Sequence, residues 1–292
     1  MSVSCGKGLF VKFAKMHGCG NDYIFIDGSK EPVKTKDKPG LTRYLSDRNS
    51  GVGSDGVIFI NSSEEADFEM EMYNADGTRG EMCGNGIRCV AKYVYDRGLT
   101  NKKKLSIISC GAVKELSLTI QDKKVIFVKV DMGEPRFMPK DIPVDLPGDR
   151  IINEPISVCG REFHMTCMSM GNPHAVVFVD ETDGLRLDEL GPAFEHYPCF
   201  PNRVNTEFVQ VLNRQTIRMR VWERGTGETL ACGTGACAAV TAGILNGLLE
   251  DQVTVRLPGG ELEIFWNRQS NRIYMTGPAV HVFDGEIEWS TE

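Results

Sequence analysis

Two copies of one short pattern, Cys83-Gly84-Asn85-Gly86 and Cys232-Gly233-Thr234-Gly235, stand 149 residues apart in a chain of 292. Each is followed by an apolar helical stretch. More of the chain repeats at nearly the same offset: Gly20-Asn21 returns 151 residues later as Gly171-Asn172, and Tyr73-Asn74 returns as Trp222-Glu223, each pair ending nine residues before its cysteine. Gly111 to Ile120 is echoed by Gly259 to Phe265, and Met132-Gly133-Glu134-Pro135 loosely by Met275-Thr276-Gly277-Pro278. A chain that carries one supersecondary plan twice must fold it twice, and 292 residues fit two domains of about 100 to 150 each. Two domains related by a pseudo-twofold axis are the expected product.

The local pattern is mixed α/β. In the first half, strands are predicted at Phe10 to Lys15, Tyr23 to Ile26, Val57 to Ile60, Phe68 to Tyr73, Leu105 to Ser109, Val113 to Ile120 and Val125 to Val130, with a helical turn at Leu41 to Leu45. After Cys83, the residues Ile87, Val90, Ala91, Val94 and Tyr95 fall at i, i+3, i+4, i+7 and i+8, one apolar helix face closed by Arg97-Gly98. The second half repeats the order, with strands at Phe163 to Ser169, Ala175 to Val179, Phe208 to Leu212 and Ile217 to Trp222, a turn at Glu223 to Gly227, and a helix beginning at Cys232. That helix, Gly235 to Leu245, is small and apolar on every face, so it is expected to be buried all round, wrapped by strands. The boundary falls near Asp131 to Met138, with Pro139 to Pro155 as an entry loop. Gly51, Gly53 and Gly56 match G-x-G-x-x-G formally, but the strand follows the glycines instead of preceding them, which disfavours a dinucleotide fingerprint.

Composition excludes several classes. A formal net charge of -7 disfavours nucleic-acid binding, which needs a concentrated basic face; Lys102-Lys103-Lys104 is a solvated run. The first eleven residues lack a secretory pattern and no apolar run of membrane-spanning length occurs, so a cytoplasmic protein is expected. Of the ten cysteines no two have C-x-x-C spacing, which disfavours structural zinc and leaves reduced thiols as the expectation. Cys5, Cys19, Cys89, Cys110, Cys159, Cys167, Cys199 and Cys237 lack the glycine context of Cys83 and Cys232 and are expected to be structural.

At a helix start the first N–H groups have no intrahelical partner and, with the macrodipole, attract an anion. Gly84 and Gly86, and again Gly233 and Gly235, let a ligand approach that backbone closely. The same position is expected to lower a thiol pKa toward the physiological range. Two such thiols on opposite sides of one carbon serve as base and acid and invert a stereocentre, with no metal or cofactor required. For a lone cysteine a small buried hydrophobe is the better account; duplication and matched helix starts reverse that preference here. His174 and Glu223 are candidates to assist a thiol, and Arg224 offers a fork for a carboxylate, against the plainer accounts of a hydrogen-bonded turn histidine and an exposed ion pair. Asn21, Asn74, Asn172 and Asn205 sit in predicted turns, where asparagine is also expected for backbone reasons.

Several stretches together resemble the diaminopimelate epimerases, within the cofactor-independent racemase and epimerase group: Lys15-Met-His-Gly-Cys-Gly-Asn-Asp22, Asp47 to Asp55, Asn74-Ala-Asp-Gly77, Cys83-Gly-Asn-Gly-Ile-Arg-Cys89, Met170-Gly-Asn-Pro-His174, Trp222-Glu-Arg-Gly225, Ala231-Cys-Gly-Thr-Gly-Ala-Cys237, Leu257-Pro-Gly-Gly260 and Tyr274-Met-Thr-Gly-Pro278. The resemblance runs nearly end to end. It implies two α/β domains, each a curled mixed sheet around a central helix, residues 1–131 with 278–292 carrying Cys83 and residues 132–277 carrying Cys232. It implies interconversion of LL- and meso-diaminopimelate in lysine and cell-wall precursor synthesis, with Cys83 and Cys232 as the two bases. Gly84, Asn85, Gly233, Thr234 and Asn21 would hold the reacting end, and Asn74, Asn172, Asn205, Glu223 and Arg224 the distal amino acid group, with Glu223 and His174 also tuning the thiols. A homodimer is implied too. Two positions depart from the pattern: Gly56 stands where some members carry glutamine, and Phe283 where some carry a tyrosine near the subunit contact.

Two other accounts share these residues. A sister racemase acting on proline, hydroxyproline or another amino acid would use the same thiols, and activity on a monocarboxylic substrate surviving Arg224→Ala would favour it. A third account, a noncatalytic amino-acid-binding protein or a thiol redox protein built on the two cysteines, would gain if ligand-dependent function were untouched in Cys83→Ala and Cys232→Ala.

Overall fold

The computed structural model describes residues 9–31, 33–80 and 83–290; Cys5 and the segment ahead of Leu9 lie outside them, as do Thr291 and Glu292. The chain packs as two units, one running up to Val128 and resuming at Pro278, the other Lys129–Gly277. The first contains β1 (Leu9–Gly18), β2 (Asn21–Asp27), α1 (Lys38–Ser46), β3 (Gly56–Asn61), β4 (Phe68–Asn74), α2 (Gly84–Asp96), β5 (Lys104–Ser109) and β6 (Ala112–Gln121). Strand β7 (Lys124–Gly133) carries the chain across the division. The second unit contains β8 (Glu154–Val158), β9 (Arg161–Ser169), β10 (Pro173–Phe178), α3 (Leu187–Glu195), β11 (Asn205–Asn213), β12 (Thr216–Glu223), β13 (Gly227–Thr229), α4 (Gly233–Leu245), β14 (Gln252–Leu257), β15 (Gly260–Asn267) and β16 (Arg272–Gly277), after which β17 (Val280–Trp289) returns to the first.

Strand pairing makes the duplication explicit. In the first unit β17 joins β1 antiparallel, and the sheet continues β1–β2 antiparallel, β2–β3 parallel, β3–β4 antiparallel, β4–β5 parallel and β5–β6 antiparallel. In the second, β8–β9, β9–β10, β10–β11, β11–β12, β12–β14 and β14–β15 follow the same order of senses. The place taken by β8 in one unit is therefore filled in the other by β17, from the far end of the chain. Each parallel step needs a crossover, and the helices supply them: α1 and α2 in one unit, α3 and α4 in the other.

The helices divide into two kinds. Helix α2 packs against β1, β2, β5 and β6, and α4 against β9 to β12 and β14 to β16, so each is enclosed by its own sheet. Residues 235–243 of α4 are buried without interruption, as its all-apolar composition requires, and a Cβ added at Gly243 would sit 2.2 Å from Leu249. On α2 the residues Ile87, Val90, Ala91 and Val94 are buried, and the helix ends at Arg97 with Gly98 in the left-handed region. Helix α1 places Leu41 and Leu45 against Val11, Ile24, Ile26 and Phe59. Helix α3, which the sequence pattern does not announce, places Leu187, Leu190 and Phe194 against Phe163, Val177 and Phe208. Its apolar residues do fall at i, i+3 and i+7, but Gly191 and Pro192 lie inside its nine residues and obscure the signal.

Three of the cysteines set aside as structural are turn residues. Cys19-Gly20, Cys110-Gly111 and Cys159-Gly160 are the two-residue loops of the hairpins β1–β2, β5–β6 and β8–β9, and all six residues have positive φ. The first of these hairpins delivers Asn21 to the start of β2. Among the described residues no helix is long and apolar enough to cross a membrane.

Candidate active site

In the first unit the site is built where β2 meets the start of α2. Cys83 is the N-cap of α2, with extended backbone, and its Sγ accepts the Gly86 N–H at 3.3 Å. It also lies 3.4 Å from Asn21 Oδ1 and is hydrogen-bonded by the Tyr23 hydroxyl and the Asn85 N–H. Asn85 donates to the same Asn21 oxygen at 3.2 Å. Arg88, fully buried one turn along α2, fixes Asn85 by donating to its Oδ1 at 2.9 Å, and it also donates to Gly84 O at 3.0 Å and Pro278 O at 3.2 Å. Asn21 is held from behind: its amide donates to Asp55 at 2.7 Å, and Arg48 bridges Asp55 and Asp22 at 2.9 and 2.8 Å.

Asn74 ends β4 opposite Gly56, and its amide donates to Thr78 across a tight turn. A Cβ built on Gly56 would lie 2.1 Å from the Tyr73 carbonyl oxygen, so this backbone accommodates glycine where the resemblance offered glutamine.

In the second unit Cys232 is the N-cap of α4, and its Sγ accepts the Gly235 N–H at 3.4 Å and touches Thr234 Oγ1 at 3.5 Å. Asn172 donates to Thr234 Oγ1 at 3.3 Å, and His174 Nε2 meets Asn172 Oδ1 at 2.9 Å. His174 thus reaches the thiol through two intermediaries. Its Nδ1 lies 2.7 Å from Glu207, a residue the sequence pattern does not single out. Glu223 is hydrogen-bonded by Thr229 and by the Cys232 thiol itself. Asn205 accepts the Arg224 N–H at 2.8 Å and donates to Pro173 O at 3.1 Å, while the Arg224 guanidinium donates to Asn202 O.

The electrostatics reverse one expectation. Burial pushes the Cys83 thiol up, against the lowering effect of the Gly86, Tyr23 and Asn85 donors. Burial, followed by the Glu223 and Glu207 carboxylates, pushes Cys232 well above the usual thiol range. The helix-start donors are present as foreseen, but the dehydration of a thiolate outweighs them. Burial likewise raises the Glu223 carboxyl, which its hydrogen bonds with Thr229 and Cys232 only partly offset. The sites as folded therefore favour two neutral thiols, one of them beside a carboxyl group able to take its proton.

Comparison with known proteins follows the same duplicated line. The family model described as diaminopimelate epimerase matches residues 13–138 and 166–282. The diaminopimelate epimerase of Acetivibrio thermocellus is 52% identical over 278 residues, covering 95% of this chain and 99% of the relative. The chain belongs to the diaminopimelate epimerase family. The Agathobacter rectalis diaminopimelate epimerase is 53% identical over 95% of this chain and 99% of its own length. Among solved structures, a probable proline racemase from Agrobacterium radiobacter superposes with a TM-score of 0.69 at 14% identity, covering 95% of this chain and 92% of that one. A Bacillus anthracis phenazine biosynthesis protein of the PhzF family gives 0.66 at 16%, covering 95% and 99%. At such identities these likenesses concern the fold, which this diaminopimelate epimerase family member shares with them.

Proposed function

We propose that the chain interconverts LL-2,6-diaminopimelate and meso-diaminopimelate by a two-base transfer at the α-carbon, with Cys83 and Cys232 as the two groups. The observation that carries this is the matched pair of N-cap cysteines, each accepting the N–H three residues on at the start of a helix enclosed by its sheet. One sulfur, as thiolate, takes the α-proton while the other, as thiol, gives its proton to the opposite face. The two then stand with protonation states exchanged, so protons balance and the reverse reaction needs no new group.

Because burial favours both neutral thiols, one proton has to leave before the first turnover in each direction. Glu223, raised by burial and hydrogen-bonded with Cys232, is positioned to accept it on that side. On the other side the Tyr23 hydroxyl and the Gly86 and Asn85 N–H groups stabilise a Cys83 thiolate once formed. The reacting carboxylate is assigned to the two helix starts, Gly84 and Asn85 with Gly233 and Thr234, and to Asn21, where N–H groups stabilise the enediolate-like charge. The distal amino acid group is assigned to Asn74, Asn172, Asn205, Glu223 and Arg224. No cofactor takes part in this scheme.

The same proposal places the reaction in the cytoplasm and has the enzyme act as a homodimer; Phe10, Val280, Val282 and Phe283 leave apolar side chains exposed on β1 and β17. The test is formation of meso-diaminopimelate from the LL isomer by the reduced protein, and its loss by at least about a hundredfold in Cys83→Ala and in Cys232→Ala. Unchanged turnover in either variant would overturn the assignment of that thiol.

A further inference from the structure

Glu207 is a carboxylate where a duplicated fold has no need of one. It is completely buried on β11 and lies against the first turn of α4, where a Cβ on Gly235 would meet its Oε1 at 2.6 Å. The position 149 residues earlier is Ile58, and a Cβ on Gly86, 149 residues before Gly235, would meet Ile58 Cδ1 at the same 2.6 Å. Isoleucine fills this niche in one unit and glutamate in the other. What differs between the units at the adjoining position is Tyr23, whose hydroxyl reaches Cys83 directly, against His174, which does not reach Cys232. Glu207 accompanies the histidine.

The hydrogen-bond partners of that pair place its protons. His174 and Glu207 are both fully enclosed, and Glu207 Oε2 has no hydrogen-bond partner. Around them stand Glu223 on β12, Cys167 on β9 and Cys232 at the start of α4. His174 Nε2 faces the Asn172 Oδ1 acceptor at 2.9 Å and Nδ1 faces Glu207 Oε1 at 2.7 Å, so each of the two contacts holds a proton. Whether the proton of the second contact rides on Glu207 or on Nδ1, the remaining ring proton is on Nε2. His174 Nε2 then donates to Asn172 Oδ1, Asn172 Nδ2 donates to Thr234 Oγ1, and the Thr234 hydroxyl proton is left to point at Cys232 Sγ.

We propose that Glu207 is a positioning residue: by holding a shared proton at His174 Nδ1, it sets the direction of the chain His174–Asn172–Thr234 so that its last donor faces the Cys232 sulfur. The proposal rests on the assignment of Cys232 as a base. Without Glu207 the ring is free to put its proton on Nδ1; Asn172 then turns its amide, and Thr234 donates away from the sulfur.

The test is the pH dependence of Cys232 carboxamidomethylation, followed on its own peptide by mass spectrometry. This needs no turnover, so it can fail while epimerisation holds, or hold while epimerisation fails. Glu207→Ile, the side chain the fold uses at the equivalent position, and Glu207→Gln both remove the carboxylate that raises Cys232, so Glu207→Ile is expected to have its midpoint about one pH unit above that of Glu207→Gln, and Thr234→Val about one pH unit above the unaltered protein, the worth of one donor to a thiolate. The double variant is expected to move no further. Glu207→Gln, which still meets Nδ1 with a polar group, leaves the midpoint no higher than in the unaltered protein. A double variant that titrates above Glu207→Ile, or equal midpoints in Glu207→Ile and Glu207→Gln, would overturn the proposal. Should Glu207→Ile not fold, the 15N spectrum of His174 in the unaltered protein decides: a protonated Nε2 is expected, and an unprotonated one refutes it.

Discussion

Arg88→Met is a demanding perturbation because one buried side chain ties the first turn of α2 to the point where the chain re-enters the first unit. Its guanidinium is fully enclosed and donates to Gly84 O, Asn85 Oδ1 and Pro278 O at 3.0, 2.9 and 3.2 Å. Methionine preserves much of the volume and removes every donor. Hydrogen bonds from a charged group are worth about 1.5 to 3 kcal/mol each, and relief of the buried charge offsets part of the total. A net loss of about 3 kcal/mol is expected, because three buried oxygen acceptors lose a charged donor and only the relief of the buried charge opposes it. Two readouts localise it. Urea unfolding gives the stability loss, and hydrogen exchange should rise in β17, whose entry at Pro278 has lost its anchor, while α4 in the other unit stays protected. Asn85 also loses the group that orients it, so kcat/KM should fall together with stability. A loss below about 1 kcal/mol with unchanged exchange in β17 would refute the view that Arg88 fastens the returning segment.

Three further outcomes are expected. Tyr23→Phe removes a donor to the Cys83 sulfur; since that donor favours the thiolate, the alkylation midpoint of Cys83, which burial already holds high, should rise by about one unit, and an unmoved midpoint would exclude the contact. Glu71 is desolvated, yet the Lys38 ammonium and the Asn61 and Tyr73 donors bring its carboxyl down to about 2. A depressed folded-state pKa gives stability that is present above the unfolded-state value and lost as pH falls from about 4.5 to about 2, so Glu71→Gln should be less stable than the unaltered protein at pH 6 and close to it at pH 2, as measured by urea unfolding. Under the two-base proposal both thiols act on one carbon, so mild oxidation should inactivate the enzyme through a Cys83–Cys232 disulfide that dithiothreitol reverses; mass mapping that finds both thiols free in the inactivated enzyme would contradict that.

The frame of each unit was legible wherever period and punctuation agree. Strands with two-sided burial, such as Val57 to Ile60, and the two central helices stand out because Gly and Asn turns bracket uninterrupted apolar runs. Elements whose residues are mostly exposed, such as β17, or only three residues long, such as β13, carry no such pattern and follow from pairing instead. The site was legible as a set of neighbours: Asn21, Asn85 and Cys83 do converge, as do Asn172, Thr234, His174 and Cys232. Its electrostatics were not. The direction of a thiol pKa depends on how much water the fold removes, and no motif encodes that; donors at a helix start argue for a low value and enclosure argues more strongly for a high one. Glu207 escaped for a related reason. The apolar run begins at Phe208, so the strand's first residues, Asn205 to Glu207, read as a polar approach, and only the three-dimensional packing turns that carboxylate inward. An acidic residue two positions after Asn205, with Ile58 at its counterpart in the repeat, was the signal available.

The central claim, that two monoprotic thiols work on opposite faces of one α-carbon, is tested most directly by early-time conversion of LL-diaminopimelate in deuterium oxide. The account predicts that the meso product carries one solvent deuterium at the inverted centre while the recovered LL substrate carries none, because the group that removes the proton is not the group that returns one. Deuterium appearing equally in recovered substrate, or no exchange at all by the folded, reduced protein, would contradict it.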